Sequence, residues 1–391
     1  MDTYPARCVL EGVPRVHFYE GGKRCPEDII LPSVVRAALE FLGEKEYGCK
    51  HCLAQNPDCK VLCTYALLVG VSGAASYLSW KEGWHGDNPA IFYMSNDAAA
   101  PERHIFEAVG YEHEWVAKEQ GRDDEVLFRE RVVESIQRGM PVLGYGVIGP
   151  PEPSIIAGYD EGGDVLIGWS HFQGTPESGD GLELEPAREG EPAGYFRKRD
   201  WFRSTECLLI IGRKVDKPSL EDTCRTALQW MLQVARTPVV RPELDAPEWY
   251  QHRHNGLAAY EAWADHLLRD EEWPAGDEAV LRAHHRIHDD AVGTVAEARW
   301  YGSVFLAQLV EGFAAGPGKR GTQAEILHAA ACYAAEHDLM WEAWDLAGGI
   351  GNPEAYRAMA DPAVRRAMAD VVRQAHEQDA QAVEHIEQAL A

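Results

Sequence analysis

The sequence predicts an α+β fold, with a mostly antiparallel sheet and flanking helices in the N-terminal half and an all-α C-terminal half. Three observations predict it. Ile155-Ile156-Ala157 and Val165-Leu166-Ile167 are apolar without alternation, the pattern of strands covered on both faces. Asp160-Glu161-Gly162-Gly163 lies between them, and its glycines tolerate the positive φ of a tight hairpin turn. From about Lys217 onward, helical periodicity rich in Ala, Leu, Trp and Glu replaces the strand signal.

In chain order, Pro26 or Pro32 opens a helix that Gly43 ends, with Val35, Ala38, Leu39 and Leu42 on one apolar face. A cysteine-rich insertion, 48–63, precedes a helical run over Thr64–Gly70 and the small residues Val71–Ala75. Pro101–Gly110 and Asp124–Gly139 read as two further helices. Strands are expected at Val142–Ile148, Ser154–Tyr159 and Asp164–Trp169, and the run Glu206–Gly212 extends the sheet. Between them, the Gly-, Glu- and Pro-rich stretch Gly174–Gly194 reads as an exposed loop. Breaks near Thr237–Pro247, Glu272–Gly276, Gly316–Gly321 and Gly348–Pro353 divide the C-terminal half into about five helices. Two domains follow from this, 1–216 and 217–391.

The chain of 391 residues carries 37 basic and 63 acidic side chains, a formal net charge of −26. That balance argues against nucleic acid and anionic membrane surfaces and favours a small-molecule or protein partner. No apolar run is long enough to span a bilayer. The first residues show no charged region followed by an apolar run and a cleavage site, so a cytoplasmic location and mostly reduced cysteines are expected.

Four of the nine cysteines, Cys49, Cys52, Cys59 and Cys63, fall within fifteen residues, the first pair as C-x-x-C. That spacing suits a tetrahedral structural zinc, with His51 able to replace one thiolate. An iron–sulfur cluster takes the same four thiolates, and free thiols are the third reading. In the helical half, His284 and His288 share one apolar face, and Glu325 and His328 stand at the i, i+3 spacing that helix bundles use for metals. Histidines on such faces are usually hydrogen-bonded core residues. Trp249, Trp263, Trp300, Trp341 and Trp344 either line an aromatic pocket or pack helix on helix. Arg197-Lys198-Arg199 reads as a solvated strand edge or an anion site.

The helix ILPSVVRAALEFLGE, the segment LLVGVSGAASYLSW and the block RGMPVLGYGVI…IIAGYDEGGDVLIGW together resemble the N-terminal domain of the butirosin biosynthesis protein H family. That family is related to bacteriocin-processing cysteine peptidases with a papain-like fold. The helical half, with GLAAYEAWADHLL, is similar to the helical region that often follows that domain. The resemblance implies a papain-like N-terminal domain and acyl transfer onto a small natural-product amine, or cleavage of an amide. It also implies a cysteine nucleophile at the start of the first helix, a histidine base on a central strand and an orienting Asp or Asn. The corresponding positions hold Ile30, Glu152 and Trp169 or Ser170, and none matches. A cysteine-dependent acyltransferase or amide hydrolase would therefore need Cys25 at the N-terminus of a helix opening at Pro26, with His17 or His171 as base. Glu27 and Asp28 would oppose its thiolate. The other reading is a non-catalytic module that binds a small molecule or protein at the Gly144–Glu152 strand end beside the helical half, through Tyr145, Glu152 and Trp169. The missing cysteine and histidine favour it.

Overall fold

The structure is a computed structural model that describes residues 4–19, 26–44, 63–88, 94–118, 124–175, 182–240, 253–312 and 319–391. Its elements run β1 (Cys8–Val9), α1 (Ile30–Phe41), α2 (Thr64–Ser72), β2 (Ser79–Trp80), α3 (Ala100–Val109), β3 (Tyr111–Ala117) and α4 (Glu125–Gln137). Then come β4 (Val142–Tyr145), β5 (Pro153–Asp160), β6 (Val165–Trp169), β7 (Phe196–Arg199), β8 (Cys207–Lys214) and α5 (Leu220–Arg236). The chain closes with β9 (Val239–Val240), β10 (Arg253–Asn255), α6 (Leu257–Leu268), α7 (Glu278–Gly312), α8 (Lys319–Leu346) and α9 (Pro362–Leu390). The fold is α+β, with a mostly antiparallel seven-stranded sheet and a helical C-terminal region.

Two compact units form, one from Met1–Leu68 with Phe106–Pro218, the other from Val69–Ile105 with Ser219–Ala391. A single division at 216/217 therefore describes only the last crossing of the chain. The segment after Leu68 belongs to the helical unit for a physical reason. Arg299 of α7 donates to the carbonyls of Ala75 and Tyr77 at 2.9 and 3.2 Å, the Ser76 and Tyr333 hydroxyls meet at 2.6 Å, and Trp230 donates to the Ser72 carbonyl at 2.8 Å.

In the sheet unit the strand order is β3-β8-β4-β5-β6-β7, all neighbours antiparallel. β4 borders the first half of β5, and β1 continues that edge against Gly158 and Tyr159. Every residue of β5 and β6 is buried, as their unbroken apolar runs require. The hairpin between them turns through Glu161, Gly162 and Gly163, all at positive φ, and the Asp160 carboxylate accepts from the Glu161 N–H at 2.8 Å. One sheet face, with Val142, Ile156, Leu208 and Ile210, packs on Phe128, Val132, Val133 and Ile136 of α4. α1 also packs against β5, and it buries Leu31, Val34, Val35, Ala38 and Leu39.

α1 opens at Ile30, with Ile29 as its cap, and residues 26–28 are non-helical. Neither Pro26 nor Pro32 is its first residue. Pro32 falls in the first turn, where an N–H has no intrahelical partner to lose. At the other end Gly43 adopts φ +81°. The Gly43 N–H reaches the Glu40 carbonyl and the Glu44 N–H reaches the Leu39 carbonyl at 3.1 and 3.0 Å, the double closure of a left-handed helix cap.

β7 is the last strand of the sheet, and its basic run is half solvated, with the Arg199 side chain partly exposed and Arg197 drawn inward. Arg197 is fully buried and ion-paired with Asp160, Glu185 and Glu191, while Arg199 pairs with Glu161 and Glu185. The chain's own carboxylates occupy the anion positions.

In the helical unit α8 packs on α7 and α9, and α6 packs on α9. Ser219 and Asp361 cap α5 and α9 through side-chain oxygens that accept from Asp222 and Ala363 N–H groups. The small sheet β2-β10-β9 lies in this unit. At its core Arg299 is fully buried with Glu336, Asp379 and Tyr260, at 3.0 Å to Glu336 and 2.7 Å to Asp379.

Candidate functional site

The candidate site of the sheet unit is built where β6 ends. Trp169 closes the strand and donates from Nε1 to the Val13 carbonyl at 3.1 Å. Tyr195 reinforces this by donating to the Leu10 carbonyl at 3.0 Å and accepting from the Val13 N–H at 3.2 Å. These bonds strap the N-terminal arm along the sheet and deliver Phe18 to the turn after Trp169. There the Ser170 hydroxyl accepts from the Phe172 N–H at 3.2 Å. The Phe18 ring meets His171 and Phe172 edge-on, at 5.2 and 5.3 Å between centroids.

His171 is the chemically informative residue here. It is 2% exposed, and among the described residues neither ring nitrogen has a close hydrogen-bond partner. Burial drives its pKa down to about 3, the charges of His17 and Arg36 push the same way, and the nearby Glu27 backbone offsets them in part. The ring is therefore neutral near pH 7. An imidazole held so far below its ordinary value is a weak general base.

Near the start of α1, Glu27 is engaged by Arg36 at 2.6 Å. Asp28 accepts from the Tyr19 N–H at 2.7 Å. Burial raises the Asp28 pKa to about 6, against the pull of that N–H and with the help of Glu27. Cys25 lies outside the described residues, but the helix beginning at Pro26 that was to activate it is not formed. Ile30 occupies the first helical position instead, its side chain half-buried against the apolar cluster of the sheet. His17 lies in the same region as His171, since its neighbour Phe18 packs on the His171 ring at 5.2 Å between centroids.

Tyr145, Glu152 and Trp169 fall at one end of the sheet, as the register Tyr145 opposite Pro153 and Ile155 opposite Trp169 dictates. Glu152 is buried in the turn into β5. Its carbonyl accepts from Gly146 N–H at 3.2 Å and its own N–H donates to Pro150 at 2.7 Å. The aromatic rings turn to different neighbours, Tyr145 to Trp115 at 5.2 Å and Trp169 to Tyr195 at 5.0 Å. Of the four-cysteine stretch, Cys49, Cys52 and Cys59 lie outside the described residues. Cys63 leads into α2, its carbonyl accepting from Leu67 N–H at 2.9 Å.

In the helical unit His284 contacts the Glu272 carbonyl at 2.8 Å and stacks on Trp84, while His288 accepts from Trp263 Nε1 at 3.2 Å. These are core histidines. Trp263 stacks on Trp80, and Trp300, His337, Trp341 and Trp344 form a separate row of rings; Trp249 lies outside the described residues. Glu325 and His328 gain a partner that reading along one helix does not reveal, His385 of α9, sixty residues on. Only the pairing of α8 with α9 brings it there.

Comparison with protein-family models and with curated proteins gives no match to this chain.

Proposed function

We propose that the sheet unit is a papain-like module that binds a small molecule or protein and no longer uses thiol catalysis. One observation carries this reading: α1 opens at Ile30, a residue without a nucleophilic atom, and residues 26–28 supply no helical N–H groups for Cys25. Without that terminus, the expected source of thiol acidity is missing. Glu152, buried where the family resemblance places the base, agrees with it. His171, whose nitrogens have no close partner among the described residues, is the polar group best suited to contact a ligand, because a buried donor or acceptor gains most from a partner.

A second reading rests on the position of His171 near the Glu27 backbone, two residues beyond Cys25, which would suit a cysteine-dependent acyltransferase or amide hydrolase. Alkylation of the native protein with iodoacetamide, mapped by mass spectrometry, separates the two. Cys25 should react no faster than half-buried Cys8; selective labelling of Cys25 would favour acyl transfer. The Cys49–Cys63 stretch we propose as a structural zinc site. Reduced protein should carry zinc that a Cys49→Ser, Cys52→Ser variant loses, and thiols without metal in the native protein would exclude it.

A further inference from the structure

A second metal site, outside the cysteine stretch and independent of the sheet unit, follows from the packing of α8 on α9. Glu325, His328 and His385 offer one carboxylate oxygen and two imidazole nitrogens that all lie within 4.8 Å of one another. His385 Nδ1 is 2.7 Å from Glu325 Oε2, and His328 Nδ1 is 3.9 Å from the same oxygen. The two imidazole rings are 5.0 Å apart between centroids. Beneath them Ile326, Ala329, Ala382, Val383 and Ile386 are buried, so both backbones are fixed by packing. Above them the site is open, since Glu325 and His385 are 27% and 29% exposed and His328 is 61% exposed.

We propose that these three side chains bind a single divalent transition metal. The donor set decides the class. Two nitrogens and one carboxylate oxygen suit zinc, iron, cobalt, nickel or copper, whereas magnesium and calcium take oxygen ligands. Ligands bound at about 2.0–2.2 Å stand roughly 3 Å from one another, so the Glu325–His385 pair, hydrogen-bonded at 2.7 Å, needs only to exchange its shared proton for the ion and open by a few tenths of an ångström. The outward swing of His328 is closed by rotating a mostly exposed side chain. Three protein ligands leave coordination positions for water or a further ligand. A paired di-metal centre does not fit, because α9 has Ala382 and Gln388, not a carboxylate, three residues either side of His385. Metal bound here would tie the second turn of α8 to the last turns of α9.

The test is calorimetric titration of metal-stripped, reduced, full-length protein with Ni²⁺, in the wild type, in His328→Ala and in Glu325→Gln. Thermal unfolding is measured with and without the ion. Beside any binding at the cysteine stretch, the wild type should show a further binding event that each variant weakens at least about tenfold, since even groups outside the ligand set change affinity by that much. The nickel-dependent rise in Tm should be smaller in both variants than in the wild type, and in His328→Ala the metal-free Tm changes little because His328 is mostly exposed. Binding at the cysteine stretch survives both substitutions and serves as the internal control. Equal stoichiometry, affinity and Tm response in all three proteins would overturn the proposal.

Discussion

Arg299, Glu336, Asp379 and Tyr260 show how single residues set the pH response of the helical unit. All four are fully buried, and one guanidinium faces two carboxylates. Burial pushes Glu336 up to about 8, with Asp379 adding to the rise and Arg299 opposing it. A neutral Glu336 balances the group, one Arg299 cation against one Asp379 anion. The Tyr260 hydroxyl lies between the two carboxylates, in reach of both Glu336 and Asp379, the latter 3.0 Å away. Below pH 4.5 native and unfolded chains both hold the Glu336 proton, so this group has no effect there. As pH rises from 4.5 towards 8 the unfolded chain releases the proton and the native chain keeps it, so stability falls. Burial sends His171 and His288 the other way, each down to about 3. The unfolded chain takes protons they refuse, and stability is lost as pH drops below about 6.5. Glu336→Gln should therefore flatten the alkaline limb, by up to about 1.4 kcal/mol per pH unit, and leave the acid limb in place. Urea midpoints measured from pH 4 to 9 would show this; parallel profiles for the two proteins would contradict it. The histidines of this core were legible, because imidazoles on an apolar helix face need partners and found them. Arg197 was not, since its three carboxylates come from Asp160, Glu185 and Glu191, positions that only strand pairing and the returning loop bring together.

At the scale of elements, the strands were legible where unbroken apolar runs allow only burial on both faces, and the hairpin where glycines mark positive φ. The start of α1 was not. A proline is accepted anywhere in a first turn, because none of its N–H groups has an intrahelical partner, so Pro26 and Pro32 bracket the helix start without fixing it. That ambiguity of a few residues decides whether Cys25 sits at a helix terminus. The pairing of β5 and β6 depends on a position that sequence alone does not single out. A Cβ on Gly168 would lie 2.1 Å from the Ile155 carbonyl oxygen, with backbone on both sides and no flexible group to yield. Gly168→Ala should lower stability by about 1–3 kcal/mol, read as a shifted urea midpoint at unchanged slope. An unmoved midpoint would mean that the strands separate at little cost.

For the whole molecule, composition and periodicity were enough for the fold class but not for the partition of the chain. The run from Val69 to Ile105 joins the helical unit through long-range bonds to Trp230, Arg299 and Tyr333, and no local pattern announces such partners. Among the described residues no helix is long and apolar enough to cross a membrane. The proposed function depends on the sheet unit, whose first helix opens at Ile30, where the family resemblance would put a thiol, and whose buried His171 is neutral. The most direct test compares the alkylation rate of Cys25 at pH 7 in the native protein with its rate in denaturant, for wild type and His171→Ala. A binding module predicts a native rate no higher than the denatured one, unchanged by the substitution. A native rate about tenfold or more above the denatured one, abolished in His171→Ala, would mark an activated thiolate and contradict it.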